Sequence, residues 1–215
     1  MSKIWFETRI ALPERISRSE DVMCSFAHVF GLGMALSAAI PLVFEAVGSR
    51  RDLWVVLVYS LSICLVFAVS AIYHGLSPST AKRVFRFIDH NVIYVLIAGT
   101  YTPYVSEMGN SGRSLLIIIW MLAAVNIVVN ILFWNRFKIF HLFSYLCMGW
   151  FIVFFWKDLR LVASLRQIWW MLTGGFLYTM GVFFYVKMSI PWAHFIWHLF
   201  VIGGAAGLHV GITLR

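Results

Sequence analysis

His194 and His198 stand four residues apart at the start of the last long apolar stretch of the chain. Four residues is slightly more than one helical turn, so both imidazoles project from one helix face, about 40° apart. Ionisable side chains inside a membrane-length apolar segment are costly, and they mark sites. The commonest use of paired neutral imidazoles is to bind a metal. Zinc held by three histidines keeps a fourth position open for a water whose pKa falls to about 7. Zinc is thus the cofactor these residues suggest, and it needs a third ligand. His74 is the most economical one, giving the triad His74, His194 and His198. Asp89 can hold or deprotonate the water. Ser70, one turn from His74, can support the site or hydrogen-bond a substrate.

The elements that carry these residues follow from composition. The chain is 61% hydrophobic and only 12% charged, whereas a soluble domain carries about 25% charged residues. It therefore reads as an integral membrane protein. A spanning helix needs about 20 mostly apolar residues. Seven stretches qualify, over 22–47, 53–75, 87–105, 115–134, 139–156, 168–186 and 192–214. The expected fold is all-α, a single seven-transmembrane-helix bundle over 1–215, with 1–21 as a cytoplasmic N-terminal segment. Residues 48–52, 77–83, 109–113, 135–136, 157–158 and 187–191 read as its connectors. Trp54, Trp134, Trp156, Trp169, Trp170 and Trp192 fall near segment ends, as interfacial aromatic belts do. Residues 1–21 carry Lys3, Arg9, Arg15 and Arg18 among acids, without the short apolar core of a signal peptide. The net charge of +8 is spread singly between apolar segments. That pattern suits basic loops and excludes a nucleic-acid partner. Cys24, Cys64 and Cys147 form no CxxC pair and read as small apolar packing residues.

Loop charge sets orientation. With the N-terminus inside, ten Lys and Arg face the cytoplasm and seven face outward. The N-terminus is expected in the cytoplasm and the C-terminus outside. Helix parity gives a second result that is independent of orientation. The start of the first segment, the end of the second, the start of the third, the end of the sixth and the start of the seventh share one membrane face. His28, Ser70, His74, Asp89, His90, His194 and His198 therefore meet at one depth. His209 lies roughly 16 Å from His198 along a helix and cannot share its metal.

These same residues resemble a known family. Glu20-Asp21 with His28, Ser70-Ala-Ile-Tyr-His74, Asp89-His90-Asn-Val-Ile-Tyr94 with Ala98-Gly-Thr-Tyr-Thr-Pro103, Gly174-Gly-Phe-Leu-Tyr178 with Gly181, and His194-Phe-Ile-Trp-His198 are similar to the hemolysin III family. That family belongs to the wider progestin and adiponectin receptor group. The resemblance implies a seven-helix protein of the cell membrane, the inner membrane in a bacterium. It also implies zinc near the cytoplasmic face, bound by His74, His194 and His198, with Asp89 and Ser70 at the site. The superfamily includes membrane ceramidases, so hydrolysis of a lipid amide is an implied activity, with a membrane lipid as substrate or ligand. The family usually has Asn and Thr where this chain has Cys24 and Ala27.

The remaining polar residues have plainer readings. His90 points about 100° away from Asp89 and reads as interfacial or supporting. His28 and Glu20 are candidates to close the cytoplasmic mouth, and His141 reads as an interfacial histidine. Asn126 and Asn130 should hydrogen-bond between helices, and Gly203, Gly207 and Gly211 should allow close helix packing. Pro103 should kink its helix near the outer end. The function expected is hydrolysis of a lipid amide or ester by zinc-activated water. The alternative is a non-enzymatic zinc-containing sensor or regulator, or a cytolytic membrane protein. A transporter ranks last, because few polar residues continue through the midplane.

Overall fold

The computed structural model describes residues 3–13, 16–48, 52–134, 138–187 and 189–214. Arg15, Arg50, Arg51, Arg136 and Arg215, all used in the charge count, lie outside the described residues, as do parts of the connectors at 48–52, 135–136 and 187–191. Every regular element among the described residues is helical. A short α1 (Lys3–Arg9) precedes α2 (Arg18–Gly48), α3 (Leu53–Gly75), α4 (Thr80–Val105) and α5 (Gly109–Leu132). Then come α6 (Lys138–Trp150), a 3₁₀ stretch (Phe151–Phe155), α7 (Trp156–Val162), α8 (Leu165–Val186) and α9 (Ala193–Thr213).

Among the described residues, five rods are long and apolar enough to cross a membrane: α2, α3, α5, the composite Phe140–Val162 and α9. α4 and α8 have comparable lengths, 26 and 22 residues. They are less apolar because α4 carries Lys82, Arg83, Arg86 and Asp89, while α8 is rich in Trp and Tyr. Side chains on the outer surface such as Phe26, Phe44, Leu61, Met121 and Phe154 are exposed and apolar, as a lipid-facing surface requires.

Several boundaries differ from the sequence expectation, each for a local reason. α4 starts at Thr80 rather than 87, because the Ser79 hydroxyl caps it by accepting from the Lys82 N–H at 3.2 Å. This places Lys82, Arg83 and Arg86 on the helix rather than in a loop. α8 starts at Leu165 because Ser164 and Gln167 form a reciprocal capping box. Residues 109–112, expected in a connector, open α5, with Gly109 in the left-handed region at φ 57°. Lys157 and Asp158, also expected in a connector, lie inside α7, where the Asp158 carboxylate accepts from the Ser111 hydroxyl. The 3₁₀ break between α6 and α7 is held by Tyr101. Its hydroxyl donates to the Met148 carbonyl and accepts from the Ile152 N–H, at 2.8 and 2.9 Å.

The helices pack in the order α8–α9–α2–α3–α4–α5, and α6 meets α4, α5 and α8 to close the ring. Small residues set the closest approach. Ideal Cβ atoms at Gly204 and Gly207 would meet Gly174 backbone at 3.1 and 3.3 Å, so α8 and α9 touch through their main chains. The packing stripe on α9 is thus Gly204, Gly207 and Gly211, all buried, whereas Gly203 is only half-buried. Asn130 donates to Asn91 across α5 and α4 at 3.2 Å, and Asn126 reaches the Met148 sulfur on α6. Pro103 lies inside α4, near its C-terminal end.

Gly207→Leu is expected to lower the thermal unfolding midpoint in detergent, by about 1–3 kcal/mol of overpacking. Gly33→Leu, on an exposed face of α2 with no atom within 4 Å of its ideal Cβ, should leave the midpoint unchanged. Equal midpoints for the two variants would show that α8 and α9 are not in main-chain contact.

Candidate metal centre

The first turn of α2 supplies three charged residues, and together they bind α3, α4 and α9. Arg18 donates to the Gly75 and Leu76 carbonyls at 2.9 Å each, satisfying the C-terminal carbonyls of α3 beside His74. Glu20 accepts from the backbone N–H groups of His194 and Phe195 at 3.0 and 3.3 Å. α9 begins at Trp192, which is left-handed and offers no side-chain cap. The cap therefore comes from 174 residues away. Asp21 accepts from His74 Nδ1 with one oxygen and from Lys82 Nζ with the other, both at 2.8 Å. Lys82 is itself buried, and it also donates to the Leu76 carbonyl.

These contacts fix the imidazoles. Asp21, paired with Lys82, is a carboxylate and can only accept, so His74 carries its proton on Nδ1 and presents the Nε2 lone pair. That atom lies 3.1 Å from His198 Nε2. Two nitrogens bound to one tetrahedral zinc, with Zn–N of about 2.0–2.1 Å, lie roughly 3.3 Å apart. The spacing therefore suits a metal. His198 Nδ1 meets His28 Nε2 at 2.8 Å. If His198 Nε2 serves as a ligand, its Nδ1–H donates to His28, just as His74 donates to Asp21. A partner on the second nitrogen is what orients a metal-binding histidine.

Cys24 Sγ, a His74 nitrogen and a His198 nitrogen all lie within 4.8 Å of one another, a buried group able to hold a metal ion. Cys24, read from sequence as packing, is wholly buried at this site, one turn before His28 on α2. His194 is the other neighbour. Its ring centroid is 5.2 Å from that of His74 and 4.5 Å from that of His198. Its Nδ1 is buried with no hydrogen-bond partner. A metal between His74 and His198 thus has the Cys24 sulfur as a third donor, while the His194 ring stands beside the group, packed against both imidazoles. Zinc accepts sulfur and imidazole alike.

Beside this cluster the Ser70 hydroxyl donates to Asp89, whose other oxygen lies 3.7 Å from His90 Nδ1. The structure places His74, His194, His198, Asp89 and Ser70 near one another at one end of the bundle. His209 is elsewhere. It meets the Tyr59 hydroxyl at 3.1 Å, about four turns from His74 along α3. His141 is buried and bonded to the Tyr94 hydroxyl at 3.1 Å, rather than interfacial. A cavity of about 430 Å³ begins at the cluster. His28, Ser70, Asp89, His194 and His198 line one end, Val66, Leu96, Met171 and Val201 line its length, and Tyr104 and Leu208 line the other end. Its volume is that of a small-molecule site, typically about 300–1,000 Å³.

Fold and site define a multi-pass membrane protein built around a buried His/Cys cluster that can hold a metal ion. The family model described as "Haemolysin-III related" matches residues 16–209. The chain is 36% identical over 193 residues to the Hemolysin-3 homolog of Bacillus subtilis (strain 168), covering 88% of this chain and 91% of that one. It is 35% identical to Hemolysin-3 of Bacillus cereus, with 87% of each chain covered. It is 32% identical to the monocyte to macrophage differentiation factor of Homo sapiens, covering 84% of this chain and 78% of that one. The chain belongs to the haemolysin-III-related family, and its place is the cell membrane.

Asp21→Asn is expected to weaken metal binding about 10–100-fold, the usual effect of losing such a supporting partner, measured by competition with a chelator. Unchanged affinity would show that His74 is not a ligand. Cobalt-loaded protein should separate the Cys24 sulfur from His194 as the third donor. Thiolate-to-cobalt absorption in the near ultraviolet that disappears in Cys24→Ser identifies the sulfur. Its absence from wild type assigns the third position to His194.

Proposed function

We propose that this protein hydrolyses an amide or ester bond of a membrane lipid, using zinc held by His74, His194 and His198. In this reading the chain forms one seven-helix domain, with α4 and α8 also crossing the bilayer. The N-terminus and the metal lie on the cytoplasmic side and the C-terminus lies outside. The observation that carries the reading is the cavity: an apolar passage of acyl-chain character that ends at histidine nitrogens, a carboxylate and a hydroxyl. A structural metal would have no use for that passage.

The donor set fits zinc, since neutral imidazoles and a nearby thiol are its preferred ligands. When bound, zinc supplies Lewis acidity and lowers the pKa of a coordinated water. The chain's own residues do the rest. The walls hold the acyl chain and exclude bulk water, which strengthens every charge interaction at the polar end. Asp89, oriented by the Ser70 hydroxyl, takes a proton from the attacking water and returns it to the leaving nitrogen or oxygen. The carbonyl carbon gains the water oxygen and loses the amine or alcohol, leaving a fatty acid.

Cys24 favours a second reading. If its sulfur joins all three histidines, four protein donors close the coordination sphere, and such closed sites are structural. The protein would then be a zinc-containing sensor, regulator or cytolytic membrane protein.

Purified wild type is expected to carry about one zinc per chain, and the His74/His194/His198 triple alanine variant almost none, by metal analysis. Zinc-loaded protein incubated with ceramides and phospholipids should release fatty acid. Asp89→Asn should keep its zinc and lose about 10²–10⁴-fold in rate. Bound zinc without metal-dependent release across the panel would replace hydrolysis with the regulatory reading.

A further inference from the structure

Arg86 forms no salt bridge among the described residues, although it sits in the field of Asp89. It lies three residues before Asp89 on α4 and therefore on the same face of the helix. It lines the cavity at its polar end, beside Asp89 and His90. Its Nε is buried and makes no hydrogen bond. Among the described residues no carboxylate pairs with it, because Asp21 is taken by Lys82 and His74 and Asp89 is engaged by Ser70. Its guanidinium lies over the Trp134 ring, 5.9 Å from the centroid.

A guanidinium stays charged under all ordinary conditions, so it cannot escape burial by losing a proton. Arg86 as a whole is half-buried, and a cation so placed without a hydrogen-bonded partner at Nε favours an opposite charge beside it. Arg86 presents N–H donors in a planar fork whose natural partner is an oxyanion, a carboxylate or a phosphate. The apolar length of the cavity begins beside that fork. An anion there would carry a hydrocarbon tail.

We infer that Arg86 forms an oxyanion subsite, and that the ligand of the cavity is a single-chain amphiphile with a carboxylate or phosphate head. The inference rests on reading the cavity as a lipid site but does not require that the lipid be hydrolysed. Asp89, one turn further on, opposes an anion and limits the gain. A charge-assisted hydrogen bond contributes about 1.5–3 kcal/mol, so about tenfold discrimination is expected after that opposition.

The test measures binding to the intact chain in detergent, after chelation so that no metal contributes, by competition of hexadecanoate, hexadecyl phosphate and hexadecanol against a fluorescent fatty-chain probe. Wild type is expected to bind at least one anion about tenfold more tightly than hexadecanol. The anion preferred distinguishes a free fatty acid from a phosphate headgroup. Arg86→Gln should bring that anion within about twofold of hexadecanol and leave hexadecanol binding unchanged, which also reports that the variant is folded. Arg86→Met replaces it if the glutamine variant does not bind the alcohol. Equal affinity for all three in wild type, or a preference that survives loss of the guanidinium, overturns the inference. Zinc-loaded Asp89→Asn separates it from catalysis: the preference should persist there even if hydrolysis is never observed. If not even hexadecanol binds wild type, the lipid reading of the cavity fails and this inference fails with it.

Discussion

The arrangement depends on one carboxylate. Asp21 bonds His74 with one oxygen and Lys82 with the other, so a single residue of α2 joins α3 and α4 at the mouth of the bundle. The pairing with Lys82 keeps the carboxylate charged, and the charge keeps the His74 proton on Nδ1. Without that proton position, Nε2 would not face His198 as a free lone pair. A buried lysine is an expensive way to hold an acid, and breaking such a pair leaves an uncompensated charge. Asp21, His74 and Lys82 therefore stand or fall as a unit. Arg18 and Glu20 extend the same logic to the end of α3 and the beginning of α9.

Much of this was legible in the residue pattern. Apolar length anticipated seven rods, of which five are long and apolar enough to cross a membrane, and the expected parity placed His74, Asp89 and His194 at one depth without any knowledge of packing. The i, i+4 spacing put His194 and His198 on one face, and helical rise excluded His209. Hidden were the residues whose role depends on rotation about a helix axis. Cys24 is four residues before His28, so it shares that face, but only the packing of α2 against α3 and α9 turns the face inward. Asp21 could be seen as an acid near the right depth. Its choice of His74 over another partner depends on Lys82, which was read as a loop residue because apolar content alone placed the start of α4 at 87. The Ser79 cap was the available signal for the earlier start.

Polar and apolar demands are separated along the bundle. Charged and hydrogen-bonding groups crowd the end where α2, α4 and α9 begin, while the passage beyond them is walled by aliphatic and aromatic side chains. Apolar walls lower the local dielectric, which strengthens attraction between the site and an ion and raises the cost of any charge left unmatched. Close α8–α9 contact through Gly174, Gly204 and Gly207 keeps that side of the passage rigid. The 3₁₀ stretch held by Tyr101 breaks the regularity of the opposite wall, at Trp150 and Ile152.

The distant cap on α9 also affects how the protein is made. Glu20 is among the first residues of α2 to leave the ribosome, yet the N–H groups it receives belong to His194 and Phe195, 174 and 175 positions later. His198 completes the nitrogen pair with His74 across 124 positions. Until α9 enters the membrane, Glu20 lacks its partners and His74 is half of a pair. The centre is thus assembled only after α9 has been made. A chain truncated just before α9 would lack His194 and His198 and so present no complete centre for a metal to occupy.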